Sequence, residues 1–328
     1  MASSFSHEDL LPDVALGDVQ FPRARAGNAP QSLAVMLMAE FGLRPRAWFP
    51  SAAVVALLTD FGTTTVSSRA VVNRLARRGV LDGGKQGRRT RYRLTEAAAA
   101  ALVRGGHALA TFPEKAEAWD GAWTIVAFSV PKDADSERSV LRARLRWRGF
   151  MPLYDGLWVC PQEPGNLLDN VVAGAVRSDV SIFRAHQITL DRLGTRDALA
   201  LWNMPAIADD YASFLDRWAP LVSQVHTGTL SGATALRARV EVEDDYRRFV
   251  VTDPRLPLRV MPRGWPRAQA REVFAGIYDG LAEPALAHVR DVVARCTDGP
   301  RPEIRAYTTA DLSSGVLLSL PEAEGVPS

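Results

Sequence analysis

The sequence predicts an α+β protein of several domains: an N-terminal winged helix-turn-helix, a ferredoxin-like βαββαβ domain in the middle and a mainly helical C-terminal domain. Three observations predict it. An amphipathic helix runs into a glycine- and arginine-rich hairpin over residues 63–95, strands rich in β-branched and aromatic residues alternate with helices over 123–184, and amphipathic helical segments follow from residue 207. With 328 residues, 47% of them hydrophobic, the chain is long enough for two or three cores.

The N-terminal module is predicted to begin with two apolar helices, over residues 31–41 and 51–61. Pro30 and Pro50 stand at their starts, where proline suits the first turn of a helix. Gly62 is predicted to close the second helix.

The third helix is predicted to carry hydrogen-bond donors on its outer face. At 100° per residue, Val71, Val72, Leu75 and Gly79 form one apolar side, and Thr64 or Thr65 is the expected N-cap. The opposite and flanking positions carry Ser67, Arg69, Asn73, Arg74 and Arg77. Arginine and asparagine are side chains that donate to base edges and phosphates.

The segment after this helix is predicted to be a basic hairpin. Gly79 ends the helix, and residues 82–84 (Asp-Gly-Gly) are a turn signal. Because side chains alternate along a strand, Tyr92 and Leu94 are expected to face the core. The arginines of this hairpin are Arg88, Arg89, Arg91 and Arg93.

Positive charge is concentrated in this module. Residues 29–115 contain 13 lysines and arginines against 5 acidic residues, whereas the whole chain has a net charge of only +2. A donor-bearing helix followed by a basic hairpin is typical of a winged helix that binds double-stranded DNA, although a solvated helix face is the alternative. We therefore predict a DNA-binding regulator. In it, Ser67, Arg69 and Asn73 read bases beside Thr65, and phosphates are held by Arg74, Arg77, Arg88, Arg89 and Arg91.

The middle module is predicted from alternating strands and helices. Strands are expected over 123–130, 150–154, 156–161 and 180–184, and helices over 136–148 and 167–176. This βαββαβ order is that of a ferredoxin-like fold. The C-terminal module is expected to contain helices over 207–225, 236–250, 267–280 and 283–296, with a proline-rich loop over 252–266.

These stretches resemble the PaaX family of bacterial transcriptional repressors, named for phenylacetic acid catabolism. The resemblance covers roughly residues 30–296. It rests on PQSLAVMLMAEF, the SRAVVNRLARRGVL segment, GRRTRYRLTEAA, the block from WTIVAF through LRARLRWRGF to GLWVCP, and DPRLPLRVMPRGWPRAQA. Ser68 departs from the family pattern, because members usually carry an apolar residue on this inward face.

The resemblance implies a cytoplasmic homodimer that binds a palindromic operator and leaves it when an aromatic acyl-CoA binds, phenylacetyl-CoA in the best-known members. It also implies a Cas2-like middle domain. Apart from this effector, no cofactor and no membrane partner are expected. Repressor and activator bind DNA in the same way, so both stay open, as does a regulator of another catabolic pathway with a different effector.

An acyl-CoA requires cations for its phosphates and an apolar slot for its acyl group. Candidate effector residues are Arg144, Arg146, Trp147, Tyr154, Trp158 and Trp265. The alternative places the tryptophans in the core and the arginines in solvent.

Catalytic chemistry is not the favoured prediction, and a metal-dependent nuclease built on the middle domain stays as the less favoured alternative. A metal-dependent nuclease of the Cas2 type needs an aspartate at the end of the first strand, but residues 128–131 (Phe-Ser-Val-Pro) contain no carboxylate. Residues 79–86 fail as a P-loop because Gln86 lacks the required hydroxyl. The histidines show no metal-ligand spacing, and Cys160 and Cys296 form no CxxC pair, so neither a catalytic nor a metal site is expected.

The expected domain organisation follows the composition. We predict a flexible tail over 1–28, the winged helix over 29–115, the middle domain over 116–200, the helical domain over 201–300 and a tail over 301–328. Neither a signal peptide nor a run of about 18 apolar residues is found, so a cytoplasmic location is expected.

Overall fold

The computed structural model describes residues 30–112, 119–131, 133–147, 149–163, 179–188 and 197–319. The predicted tail over 1–28, the predicted helix over 167–176 and residues 320–328 lie outside the described residues.

The N-terminal unit consists of helices around a small sheet, as predicted. Its helices are α1 (Pro30–Gly42), α2 (Ser51–Thr59), α3 (Thr65–Arg77) and α4 (Glu96–Ala110). Its strands are β1 (Phe49–Pro50), β2 (Leu81–Gln86) and β3 (Arg89–Leu94), in the order β1-β3-β2. Thr64 and Thr95 cap α3 and α4, each accepting a hydrogen bond from the backbone of the first turn.

The turn of the hairpin lies at its tip and not where the sequence placed it. Strand β2 continues through residues 82–84, and Gln86 pairs with Arg89, so Gly87 and Arg88 form the two-residue turn. Gly87 has a φ of 60°, which glycine adopts without strain. Gly84 serves close packing instead, because a Cβ atom there would lie 3.0 Å from the Trp48 ring. The predicted turn at 82–84 is therefore wrong.

The middle unit has the strand arrangement predicted for it. It contains β4 (Trp123–Ser129), α5 (Asp135–Trp147), β5 (Met151–Tyr154), β6 (Leu157–Cys160) and β7 (Asp179–Ala185). The strand order is β5-β6-β4-β7 with every pairing antiparallel, the arrangement of a ferredoxin-like sheet. Gly156 in the β5–β6 turn is required by close approach, since a Cβ atom would lie 2.6 Å from the Phe128 carbonyl oxygen.

The C-terminal unit is helical, as predicted. Its long helices are α6 (Met204–His226), α7 (Gly232–Thr252), α8 (Arg267–Gly280) and α9 (Ala282–Arg295). Aromatic rings of α6, α7 and α8 pack together, and the Tyr246 and Phe274 rings are stacked at 4.2 Å.

Residues 301–319, expected to form part of a tail, fold back onto the rest of the chain. They contain α10 (Thr309–Ser313) and α11 (Val316–Ser319), and Tyr307 and Leu312 are buried. The Tyr307 hydroxyl accepts a hydrogen bond from the Arg44 amide at 2.8 Å and donates one to the Arg44 carbonyl at 2.5 Å. These contacts hold the segment against the N-terminal unit.

The N-terminal and C-terminal units share one hydrophobic core. Within it, the fully buried Arg239 of α7 pairs with Glu40 of α1 at 2.8 Å. The same guanidinium donates to the carbonyl oxygens of Tyr278 and Tyr307. Burial raises the pKa of Glu40 well above its usual value, against the opposing charge of Arg239.

Candidate nucleic-acid interface

Helix α3 and the hairpin meet along one side of the N-terminal unit. The Tyr92 hydroxyl donates a hydrogen bond to Asn73 Oδ1 at 3.0 Å, which joins the outer face of the helix to strand β3. Thr65, Arg69 and Asn73 are exposed, as are Arg74 and Arg77, whereas Ser67 is half-buried at the first turn. The wheel prediction for this helix is confirmed at Val71, Val72 and Leu75, which are buried, whereas Gly79 lies beyond the end of the helix at Arg77.

Ser68 is accommodated on the inward face by hydrogen bonds. Its side chain is fully buried, and its hydroxyl lies 2.7 Å from Thr63 Oγ1 and 3.0 Å from the carbonyl oxygen of Thr64. A buried hydroxyl is tolerated when it is hydrogen-bonded. The departure at this position therefore leaves the packing of α3 intact.

Acidic residues neutralise the arginines at the base of the hairpin. Arg44 and Arg46 both pair with Glu96, and Asp82 pairs with Arg46 and Arg93 at 3.3 Å. Arg91 and Arg93 also lie over the Trp48 ring, each with its guanidinium carbon 4.6 Å from the ring centroid. Arg91, predicted to hold a phosphate, is thus half-buried against this ring.

The remaining arginines form an exposed positive surface. Within the described part of the chain, Arg69, Arg74, Arg77 and Arg88 have no hydrogen-bond or ion-pair partner, and we call these four together with Arg89 the basic surface. A groove of about 550 Å³ lies between α2, the start of α3 and the hairpin, and Thr65, Arg69, Arg89 and Thr90 are among the residues that line it. Guanidinium groups beside such a groove can bind the phosphates of a nucleic-acid backbone.

Arg89 has partners in the C-terminal unit that no sequence signal indicated. Its Nη1 donates to the carbonyl oxygen of Cys296 at 2.9 Å, and its Nη2 pairs with the carboxylate of Asp298. These groups are more than 200 residues apart in the chain, beyond the reach of any local pattern. Nearby, His288 of α9 lies 2.8 Å from Asp60 at the end of α2.

Of the candidate effector residues, the structure brings Arg146 and Trp158 together and places Trp265 in a different core. Trp158 is 1% exposed in the core of the middle unit, where Arg146 lies over its ring, and Tyr154 is exposed at the end of β5. Trp265 is buried in the shared core of the other two units. Arg144 lies half-buried on α5, and the side chain of Trp147 lies outside the described residues.

Trp265 instead belongs to a buried hydrogen-bond network around Asp253. This network was not predicted from the sequence. Asp253 accepts hydrogen bonds from Tyr211 and Trp265 at 2.9 Å each, and from Arg267 at 2.5 and 3.0 Å. Asp253, Trp265 and Arg267 all lie in the DPRLPLRVMPRGWPRAQA stretch. That stretch therefore has a structural role in fixing the loop between α7 and α8.

Among the described residues, no group of three or more His, Cys, Asp or Glu is arranged to hold a metal ion. No helix in this part of the chain is both long and apolar enough to cross a membrane.

Three family models match the chain in order along its length. Residues 29–98 match the PaaX-like protein model, 116–196 the PaaX protein central Cas2-like domain and 202–291 the PaaX-like protein C-terminal domain. The transcriptional repressor PaaX of Escherichia coli strain K12 is 28% identical over 249 residues, covering 74% of this chain and 77% of that protein. The solved structure of the uncharacterized protein Rv0674 from Mycobacterium tuberculosis is 22% identical, with a TM-score of 0.48, and the match covers 78% of this chain and 96% of the other.

Proposed function

Because the chain belongs to the PaaX family, we propose that it is a transcriptional repressor of a catabolic operon that binds double-stranded operator DNA. The observation that carries this proposal is the basic surface, in which helix α3 and the hairpin present exposed arginines, two of which, Arg69 and Arg89, line one groove. Its charge is left unpaired at Arg69, Arg74, Arg77 and Arg88 among the described residues, while the arginines behind it are neutralised.

The N-terminal unit acts as a winged helix-turn-helix over residues 29–115, with α2 and α3 as its helical pair and the β2–β3 hairpin as its wing. Helix α3 enters the major groove, where Ser67, Arg69 and Asn73 lie at the base edges beside Thr65. The phosphates are held by Arg74, Arg77, Arg88 and Arg89, with a smaller contribution from Arg91 because it rests on Trp48.

The chain acts as a homodimer on a palindromic operator, with its two copies of α3 about one DNA turn, roughly 34 Å, apart. An aromatic acyl-CoA such as phenylacetyl-CoA releases the DNA by binding a conformation of the dimer in which the two α3 helices have a different spacing. The middle domain over 116–200 and the helical domain over 201–300 carry this response. The relative from Escherichia coli is a transcriptional repressor, which supports repression rather than activation.

The two proposed roles on the basic surface are separable by mutation. Arg69→Ala is expected to relax specificity at one base pair at a cost of about 1–3 kcal/mol, because a base-reading arginine is lost. Arg89→Ala is expected to weaken binding to all sequences. It should also reduce the salt slope, which is the slope of log K against log salt concentration, by about one unit, because one phosphate contact is lost. Fluorescence anisotropy measures both effects, with DNA from the region upstream of the gene and with mismatched duplexes, each at two salt concentrations.

The exposed Arg263 provides a charge-matched control, since it lies in the C-terminal unit with no ion-pair partner among the described residues. Arg263→Ala should leave both the specificity and the salt slope unchanged. If Arg69→Ala and Arg89→Ala behave identically, the assignment of roles is wrong. If the folded wild-type chain shows no salt-dependent affinity for its upstream DNA, the proposed function itself fails. Cleavage of the duplex with Mg²⁺ or Mn²⁺ would favour the nuclease alternative instead.

A further inference from the structure

Arg89 of the basic surface already binds an anionic group of the chain itself. The guanidinium binds two oxygens, the Cys296 carbonyl oxygen at 2.9 Å and the Asp298 carboxylate. Its neighbour Arg88 in the same turn has no such partner among the described residues. Of the arginines in the basic surface, Arg89 is thus the one whose DNA contact would require an existing contact to break.

The group bound to Arg89 resembles a phosphate in its chemistry. A backbone phosphodiester offers an arginine two acceptor oxygens and one negative charge, as the Cys296 carbonyl and the Asp298 carboxylate do together. Cys296 also follows the last turn of α9 (Ala282–Arg295), where the unpaired carbonyl groups of a helix end add negative potential. Phosphate and Asp298 therefore compete for the same side of Arg89.

The C-terminal side of this contact is firmly held. Val289, Val292 and Val293 of α9 are buried, and His288 on the same helix lies 2.8 Å from Asp60. The tip of the hairpin is less constrained, because Gly87 in its turn is exposed and a Cβ atom there would meet nothing within 4 Å. Breaking the contact therefore moves the hairpin and leaves α9 in place.

We propose that Asp298 and the Cys296 carbonyl occupy the phosphate position of Arg89 in the free chain, and that duplex DNA must displace them to engage the hairpin. This inference rests on the proposed function and adds a regulatory contact to the same surface. Asp298 is 73% exposed and the Arg89 side chain 53% exposed, so the contact is a weak, readily exchanged ion pair. It lowers the affinity for DNA without abolishing it.

The test compares Asp298→Asn with Asp291→Asn, which removes the same charge from an exposed position on α9. Asp298→Asn is expected to bind both operator and random-sequence duplex about two- to fivefold more tightly, because phosphate no longer competes with an ion pair. Asp291→Asn should change the affinity less, through screened long-range charge alone. In an Arg89→Ala background, the advantage of Asp298→Asn over Asp291→Asn should vanish.

Hydrogen exchange in the absence of DNA gives a second measurement that does not depend on the proposed function. Peptides covering residues 83–90 should exchange faster in Asp298→Asn than in wild type or Asp291→Asn. If the chain binds DNA but the two asparagine variants have equal affinities, the competition is overturned while the proposed function stands. If no variant binds DNA under any salt condition, the proposed function is overturned, and the competition with it.

Discussion

Asp253 joins three segments of the C-terminal unit through its buried carboxylate. It is 1% exposed, and its carboxylate accepts hydrogen bonds from Tyr211, Trp265 and Arg267. Burial, together with the charge of Asp253, raises the pKa of the Tyr211 hydroxyl, so that this group stays a donor. A buried charge is stable only when it is paired and hydrogen-bonded, and here the network fulfils both conditions.

We expect Asp253→Asn to destabilise the chain by about 3–5 kcal/mol, because it leaves the buried guanidinium of Arg267 without a counter-charge. Urea unfolding followed by tryptophan fluorescence measures the change. Asp209→Asn is the matched control, since Asp209 is exposed and its carboxylate has no partner among the described residues. Equal midpoints for the two variants would contradict the structural role of Asp253.

Single residues show where sequence reasoning succeeds. Burial of Val71, Val72 and Leu75 follows from helical periodicity, which is a local property that the sequence displays directly. The positions of Trp158 and Trp265 in different cores depend on tertiary packing between distant segments, so a tryptophan suited to line a pocket could not be told from one in a core. The Arg89–Asp298 pair was missed for the same reason.

At the scale of elements, the hairpin illustrates how a glycine can mislead. Residues 82–84 carry a strong turn signal, yet they lie in β2 because the Trp48 ring packs against Gly84. The turn itself needs a positive φ at Gly87, and it places Arg88 at the tip with Arg89 beside it. In the middle unit, by contrast, the order of strands and helices was sufficient to predict the sheet, because few chain paths join βαββαβ elements.

Gly87→Ala is expected to strain the hairpin turn by about 1–2 kcal/mol, since a residue with a Cβ atom disfavours the left-handed conformation. The turn should relax to another geometry, so that Arg88 and Arg89 lose their positions and the affinity for DNA falls several-fold. Anisotropy titration measures the affinity, and thermal unfolding reports the stability.

Gly276→Ala is the control for this substitution, because Gly276 lies within helix α8 and a Cβ atom there also meets nothing within 4 Å. It should leave DNA affinity unchanged and stabilise the helix slightly. An unchanged affinity for Gly87→Ala would show that the turn does not position the basic surface.

At the scale of the whole molecule, the N-terminal and C-terminal units behave as one folded body. They share a core, and Glu40, Arg44 and Tyr307 join them through buried hydrogen bonds. The middle unit has a second core of its own and contacts the shared one through Trp123, whose ring is stacked on Trp202 at 5.9 Å. In the proposed dimer, a change in the spacing of the two α3 helices would therefore carry the C-terminal helices along with α3.

The buried Glu40–Arg239 pair makes this union testable through its pH dependence. We expect Arg239→Met to destabilise the chain by about 3–5 kcal/mol at neutral pH, because the Glu40 carboxylate is left buried without its partner.

Burial raises the pKa of Glu40 above the usual 4.5, and removal of Arg239 takes away a charge that lowers it. A carboxyl group with a raised pKa favours the folded state below its unfolded pKa and loses this contribution as pH rises. In urea unfolding, the deficit of Arg239→Met should therefore be smallest at low pH, where Glu40 is protonated in both chains, and grow as pH rises above the folded-state pKa of Glu40. Adding Glu40→Gln should remove most of that pH dependence, whereas a deficit equal at every pH would show that Glu40 does not carry the unpaired charge.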